Sequence, residues 1–174
     1  MAYELVCSKI YTPYLGSSVY VWTSILTITL LGLALGYRAG DKIKAEKELS
    51  RLFIALLVSA LFIAASIFIA SLILPSLLNM DLRAASLLSG IILLLLPMFL
   101  LGTVSPLIVK QLSSEYSAVG SNSGLIYGIS TIGGVLLSMI AVFGLIPTIG
   151  VQITIFSIAG ILAFAAILSK FIKE

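Results

Sequence analysis

Repeatedly along this chain, an apolar run long enough to cross a bilayer gives way to a short segment where the charges collect. The runs are about 19 to 26 residues long, the length that a hydrocarbon core about 30 Å thick demands of an α-helix. Lipid offers the backbone no hydrogen-bond partner, so each crossing must be a helix or a strand of a closed barrel. None of the runs alternates strictly between apolar and polar residues, which selects helices. Composition agrees: with 60% hydrophobic and 10% charged residues among 174, a soluble fold has too little polar surface to cover itself. The expectation is an all-α, polytopic transmembrane helix bundle forming one domain. It comprises an amphiphilic segment over 1–18 and spans over about 19–37, 52–74, 84–109, 123–146 and 151–168.

The first span has both of its borders intact. Tyr14, Tyr20 and Trp22 stand near its start as interfacial anchors, and charge arrives at Arg38 and Asp41. Gly32, Gly36 and Gly40 recur at four-residue spacing, which puts three residues without side chains on one stripe where a second helix can approach closely. A similar ridge opens the fourth span, with Gly120, Gly124 and Gly128 followed by Gly133 and Gly134. The two stripes are candidates to pack against each other.

Charge placement sets the direction. The segment Arg38–Arg51 is the most charged of the chain and is placed in the cytoplasm, where its composition also suits a short surface helix. Arg38, Lys42, Lys44, Lys47, Arg51, Lys110, Lys170 and Lys173 then all lie inside, leaving Lys9 and Arg83 outside or undecided. The implied location is the plasma membrane, multi-pass, with a cytoplasmic carboxyl terminus. The basic residues are topology determinants, so no nucleic-acid partner is expected. Residues Met1–Pro13 are too short to cross alone, and Lys9 points well away from Glu4 on a helix. They read either as an interfacial segment or as a partly inserted helix whose Glu4 finds a polar partner on another helix.

Chemistry is scarce. Cys7 is the sole cysteine and there is no histidine, which excludes an intrachain disulfide, a Cys/His zinc site and a histidine base. No Gly-x-Gly turn announces a dinucleotide or S-adenosyl ligand. No catalytic residue, metal or cofactor is therefore expected. Three features keep functional interest: the aromatic segment Tyr11–Trp22, which contains Tyr14 and either lines a pocket or anchors the helix; the third span's kinked end, with Pro97, a kink expected near Leu93–Pro97, and the GTVSP element with Thr103, Ser105 and Pro106; and the pair Arg38 and Asp41. A GTVSP segment that unwinds would expose carbonyls to a ligand or ion. Arg38 and Asp41 either pair across a helix interface or stay solvated.

Three runs, YTPYLGSSVYVWTSILTITLLGLALGYRAGDKI, LLLPMFLLGTVSPLIVKQL and VGSNSGLIYGISTIGGVLLSMIAVFGLIPTIGV, together resemble the membrane domain of spermidine-synthase-like membrane proteins, in which a major-facilitator-like domain is fused to a spermidine synthase. The resemblance implies a helical membrane domain that continues into, or works beside, a soluble Rossmann-like enzyme. This chain holds no counterpart of that enzyme, so aminopropyl transfer is not carried over. The family's apolar lead into the positions of Glu4 and Lys9 is also shortened here, which implies a truncated first helix. The expected function is a non-catalytic membrane module that packs on lipid and on a protein partner, in the membrane or at the cytoplasmic face. The alternative is a half-transporter acting as an oligomer, for polyamines or other small cations.

Overall fold

The computed structural model describes residues 1–43, 48–112 and 119–171, and every element in it is helical. In chain order these are α1 (Ala2–Leu15), α2 (Val19–Asp41), α3 (Glu48–Leu77), α4 (Leu82–Gly90), α5 (Leu96–Leu112), α6 (Val119–Met139) and α7 (Ile146–Phe171). A π-helical turn joins α4 to α5 over Ile91–Leu95, and another joins α6 to α7 over Ile140–Leu145. Among the described residues, four helical stretches are long and apolar enough to cross a membrane: Val19–Asp41, Leu49–Leu77, Leu82–Gln111 and Ser123–Phe171. The chain is a multi-pass membrane protein.

Local chemistry accounts for the borders. Gly16 takes φ 71°, a conformation open to glycine, and turns the chain between α1 and α2. Ser18 then caps α2 by accepting a hydrogen bond from the Val21 amide at 3.3 Å. Asp81 caps α4 through the Arg83 amide at 3.1 Å. The helices overrun the expected spans. α2 continues through Arg38 to Asp41, so these charges sit on its last turn, and α3 passes Pro75 to Leu77. Between the expected spans 123–146 and 151–168 the backbone departs from the helix at Gly150 alone (φ 81°, ψ 169°), with Pro147 inside the helix. The surface helix expected within Arg38–Arg51 falls largely on 44–47, outside the described residues, as do Lys44, Lys47 and Lys173.

Both π turns end two residues before a proline, Pro97 and Pro147. A proline cannot donate to the carbonyl four residues back, and its ring crowds that carbonyl. Widening the helix by one residue in the preceding turn relieves the clash. The disturbance expected near Leu93–Pro97 takes this form.

α2 packs along α4 and α5, α5 packs in turn on α3, and α3 packs on α7; α6 lies to the side against α5 and α1. α1 is enclosed by α2, α3, α4, α6 and α7. Val6, Cys7 and Tyr11 in α1 are completely buried, so the segment packs among the other helices. In a bilayer no aqueous hydrophobic effect holds helices together, so close contact and interhelical hydrogen bonds must do so.

Candidate functional site

Three features stand out once the helices are assembled: a polar seam on α1, the closed glycine stripe of α2 and the open one of α6.

Tyr3, Cys7 and Tyr11 lie four residues apart and form one stripe of α1 directed into the bundle. The Tyr3 hydroxyl donates to the Leu93 carbonyl at 3.0 Å, and the Tyr11 hydroxyl donates to the Ser89 carbonyl at 3.1 Å. Leu93 is the residue whose carbonyl loses its α-helical donor to Pro97. An unpaired buried carbonyl is costly in lipid, so Tyr3 supplies the bond that the proline removed. Ser86 and Ser89 are buried on the same wall, each bonded back to its own helix at 2.6 and 2.9 Å. The seam thus fixes the π turn by hydrogen bonds from outside its own helix. Glu4 lies at the edge of this region and pairs with the Met1 amine at 3.0 Å, at the start of its own helix.

The α2 stripe is occupied by α5. A methyl group added at Gly32 would stand 2.8 Å from Cβ of Met98, one at Gly36 2.8 Å from Cα of Gly102, and one at Gly40 2.6 Å from Cγ of Pro106. The expected pairing of this stripe with that of the fourth span does not occur. Gly102, inside GTVSP, is the small residue that admits Gly36, whereas the surroundings of Gly120 lie outside the described residues. GTVSP itself does not unwind: α5 runs through Pro106, and Thr103 donates to the Leu100 carbonyl at 2.7 Å. Ser105 is half-buried in the same helix. At the end of the crossing, Lys110 bonds the Asp41 carbonyl, the Ile43 carbonyl at 3.2 Å and the Asp41 carboxylate at 3.6 Å. Asp41 therefore pairs across the interface, while Arg38 is exposed and makes no ion pair among the described residues.

On α6, Gly124, Gly128 and Gly133 have open space where a side chain would stand, and among its described glycines only Gly134 turns inward, to 3.6 Å from the Met1 side chain. Leu125, Ile129, Ile132 and Leu136 are exposed beside them. Of the aromatic segment, Tyr14 is half-buried against the core and Trp22 faces outward. Tyr20 instead holds Arg83 over its ring at 5.1 Å, a cation–π contact between the ends of α2 and α4.

Sequence reading missed Tyr3 and Tyr11 as positioning residues. Their signal was present as the four-residue spacing Tyr3, Cys7, Tyr11, legible only to a reader who took the segment as an inserted helix. Among the described residues, no three side chains of His, Cys, Asp or Glu converge as metal ligands would. Compared with known proteins, the chain matches no family model, no curated protein and no solved structure.

Proposed function

We propose that the chain is a membrane-embedded assembly module that docks a partner helix on α6. The observation that carries this reading is the contrast between two glycine stripes of one chain. The α2 stripe is filled by backbone at close contact, whereas Gly124, Gly128 and Gly133 meet nothing. Glycines lower helix propensity by about 1 kcal/mol each against alanine in water, and a close helix contact is the usual return for that cost. The resemblance to the membrane domain of spermidine-synthase-like proteins supports a partner that brings a soluble enzyme to the cytoplasmic face, or a larger membrane complex.

The topology that goes with this reading has five crossings. A continuous helix over Ser123–Phe171, 49 residues long, would measure about 74 Å at 1.5 Å per residue, more than twice the ~30 Å hydrocarbon core. The non-helical backbone at Gly150 supports a division of it into two passes. The basic residues at the ends of α2 and α5 then face the cytoplasm of a plasma membrane.

Purification from the native membrane in mild detergent tests the assembly. The wild-type chain is expected in a complex heavier than itself, and Gly124→Leu with Gly128→Leu is expected to release it without unfolding it. A wild-type chain that runs alone, or a complex indifferent to both changes, refutes the reading.

A further inference from the structure

Apart from the stripe on α6, the bundle carries a cavity of about 410 Å³ between α1, α3 and the start of the second arm of α7. It falls within the ~300–1,000 Å³ range of ligand pockets. Its walls divide by chemistry. Lys9, Tyr14, Ser71 and Gln152 bring polar groups, and Ile67 and Phe68 are among the apolar residues that form the rest. Lys9 is the single charged residue of the lining, and no carboxylate faces it. Among the described residues the side chains of Lys9, Tyr14 and Gln152 make no hydrogen bond or ion pair, and the hydroxyl of Ser71 donates to the Phe68 carbonyl while its oxygen stays free to accept. The nearest acid in sequence, Glu4, is five residues away on the helix and is held by the Met1 amine.

Lys9 lies six residues before Leu15, about 9 Å down the helix from the end of α1. There the stem of a lysine reaches toward the membrane interface while its ammonium lacks a counter-charge. Phe68 is 67% exposed, so the cavity opens sideways on the surface that lipid covers. Val151 and Gln152, the first residues after the break at Gly150, close the cavity on the α7 side. An unpaired ammonium and unpaired polar side chains on the wall of an apolar, laterally open cavity are complementary to an anion with an alkyl chain attached.

We infer that this cavity binds an anionic phosphate-headed amphiphile, with the phosphate on Lys9 and Gln152 and the chain passing over Phe68 into the bilayer. The phosphate accepts from the Lys9 ammonium, the Gln152 amide and the Tyr14 hydroxyl. A zwitterionic lipid brings its own cation to the phosphate and gains less from Lys9. The site stands apart from the assembly face on α6, and with the topology proposed above it lies at the outer leaflet.

The full chain, purified in detergent, is titrated with short-chain phosphatidylglycerol and, in parallel, with phosphatidylcholine, and bound lipid is counted by native mass spectrometry. Phosphatidylglycerol is expected to be retained preferentially. Lys9→Gln should weaken its retention about tenfold, the usual scale for one charge-assisted hydrogen bond, and leave phosphatidylcholine unchanged. Ser71→Trp, which fills the cavity from an exposed position and leaves the charge in place, should displace the lipid as well. Unchanged melting of both variants shows that the fold is intact. Equal retention by wild type and Lys9→Gln, or equal losses of both lipids, overturns the proposal. Displacement of phosphatidylglycerol by millimolar inorganic phosphate also overturns it, because the site would then be one for the free ion.

Discussion

Gly36→Ala tests the tightest contact of the bundle. An added methyl at Gly36 lies 2.8 Å from Cα and 3.0 Å from the carbonyl carbon of Gly102, and closer still to the Phe99 carbonyl oxygen. Ordinary contact of a Cβ begins at 3.4 Å, so α2 and α5 must separate by at least about 0.6 Å. The obstacle is backbone, which cannot swing aside as the end of a side chain can. A gap of that size forfeits about a quarter of the dispersion well of each pair it opens, and it opens Gly32–Met98 and Gly40–Pro106 along with Gly36–Gly102. Overpacking costs about 1–3 kcal/mol, and alanine returns up to about 1 kcal/mol of helix propensity. Taking the upper end for a backbone clash leaves a net loss of about 2 kcal/mol. For a chain of this length that lowers the melting midpoint by roughly 4–8 °C. Cys7 provides the assay: it is the only cysteine and is completely buried, so a thiol-reactive fluorophore reports on opening of the bundle. Gly128→Ala is the internal control, because its methyl meets nothing and the isolated chain should keep or slightly raise its midpoint. If both variants melt with the wild type, α2 does not meet α5 at these residues and the packing argument fails.

Two further predictions concern the backbone. Tyr3→Phe removes the donor to Leu93 and should cost about 1 kcal/mol, near the middle of the range for interhelical hydrogen bonds in membranes. In a Pro97→Ala background the Leu93 carbonyl regains a donor from its own helix, so the same change should cost under ~0.5 kcal/mol; a double-mutant cycle with no coupling between the two sites would refute the compensation. Gly150→Ala has room for its methyl but holds φ at 81°, so its cost should be purely conformational, about 1–2 kcal/mol. Thermal midpoints decide this one, with Gly160→Ala, likewise surrounded by open space but at an ordinary helical angle, expected to show no loss.

Length and composition determined the class of this protein. Runs of apolar residues as long as the bilayer is thick leave helices as the solution, because the backbone must satisfy itself within each run. The position of a disturbed turn was equally legible, since Pro97 removes its donor wherever the helix lies. The sequence also marked Gly32, Gly36 and Gly40 as a surface for close approach. Which helix makes that approach was not legible. Spacing gives a stripe but no partner, and Gly102 in α5 offered a small residue in register where the more conspicuous ridge of α6 did not. The same limit hid the role of Tyr3 and Tyr11. A phenol can anchor at an interface or donate inside a bundle, and the choice depends on whether a carbonyl lacking its own donor waits at the right depth. Only tertiary structure brought α1 beside the turn at Ile91–Leu95, because that juxtaposition joins residues about ninety positions apart, and local sequence encodes no such distance.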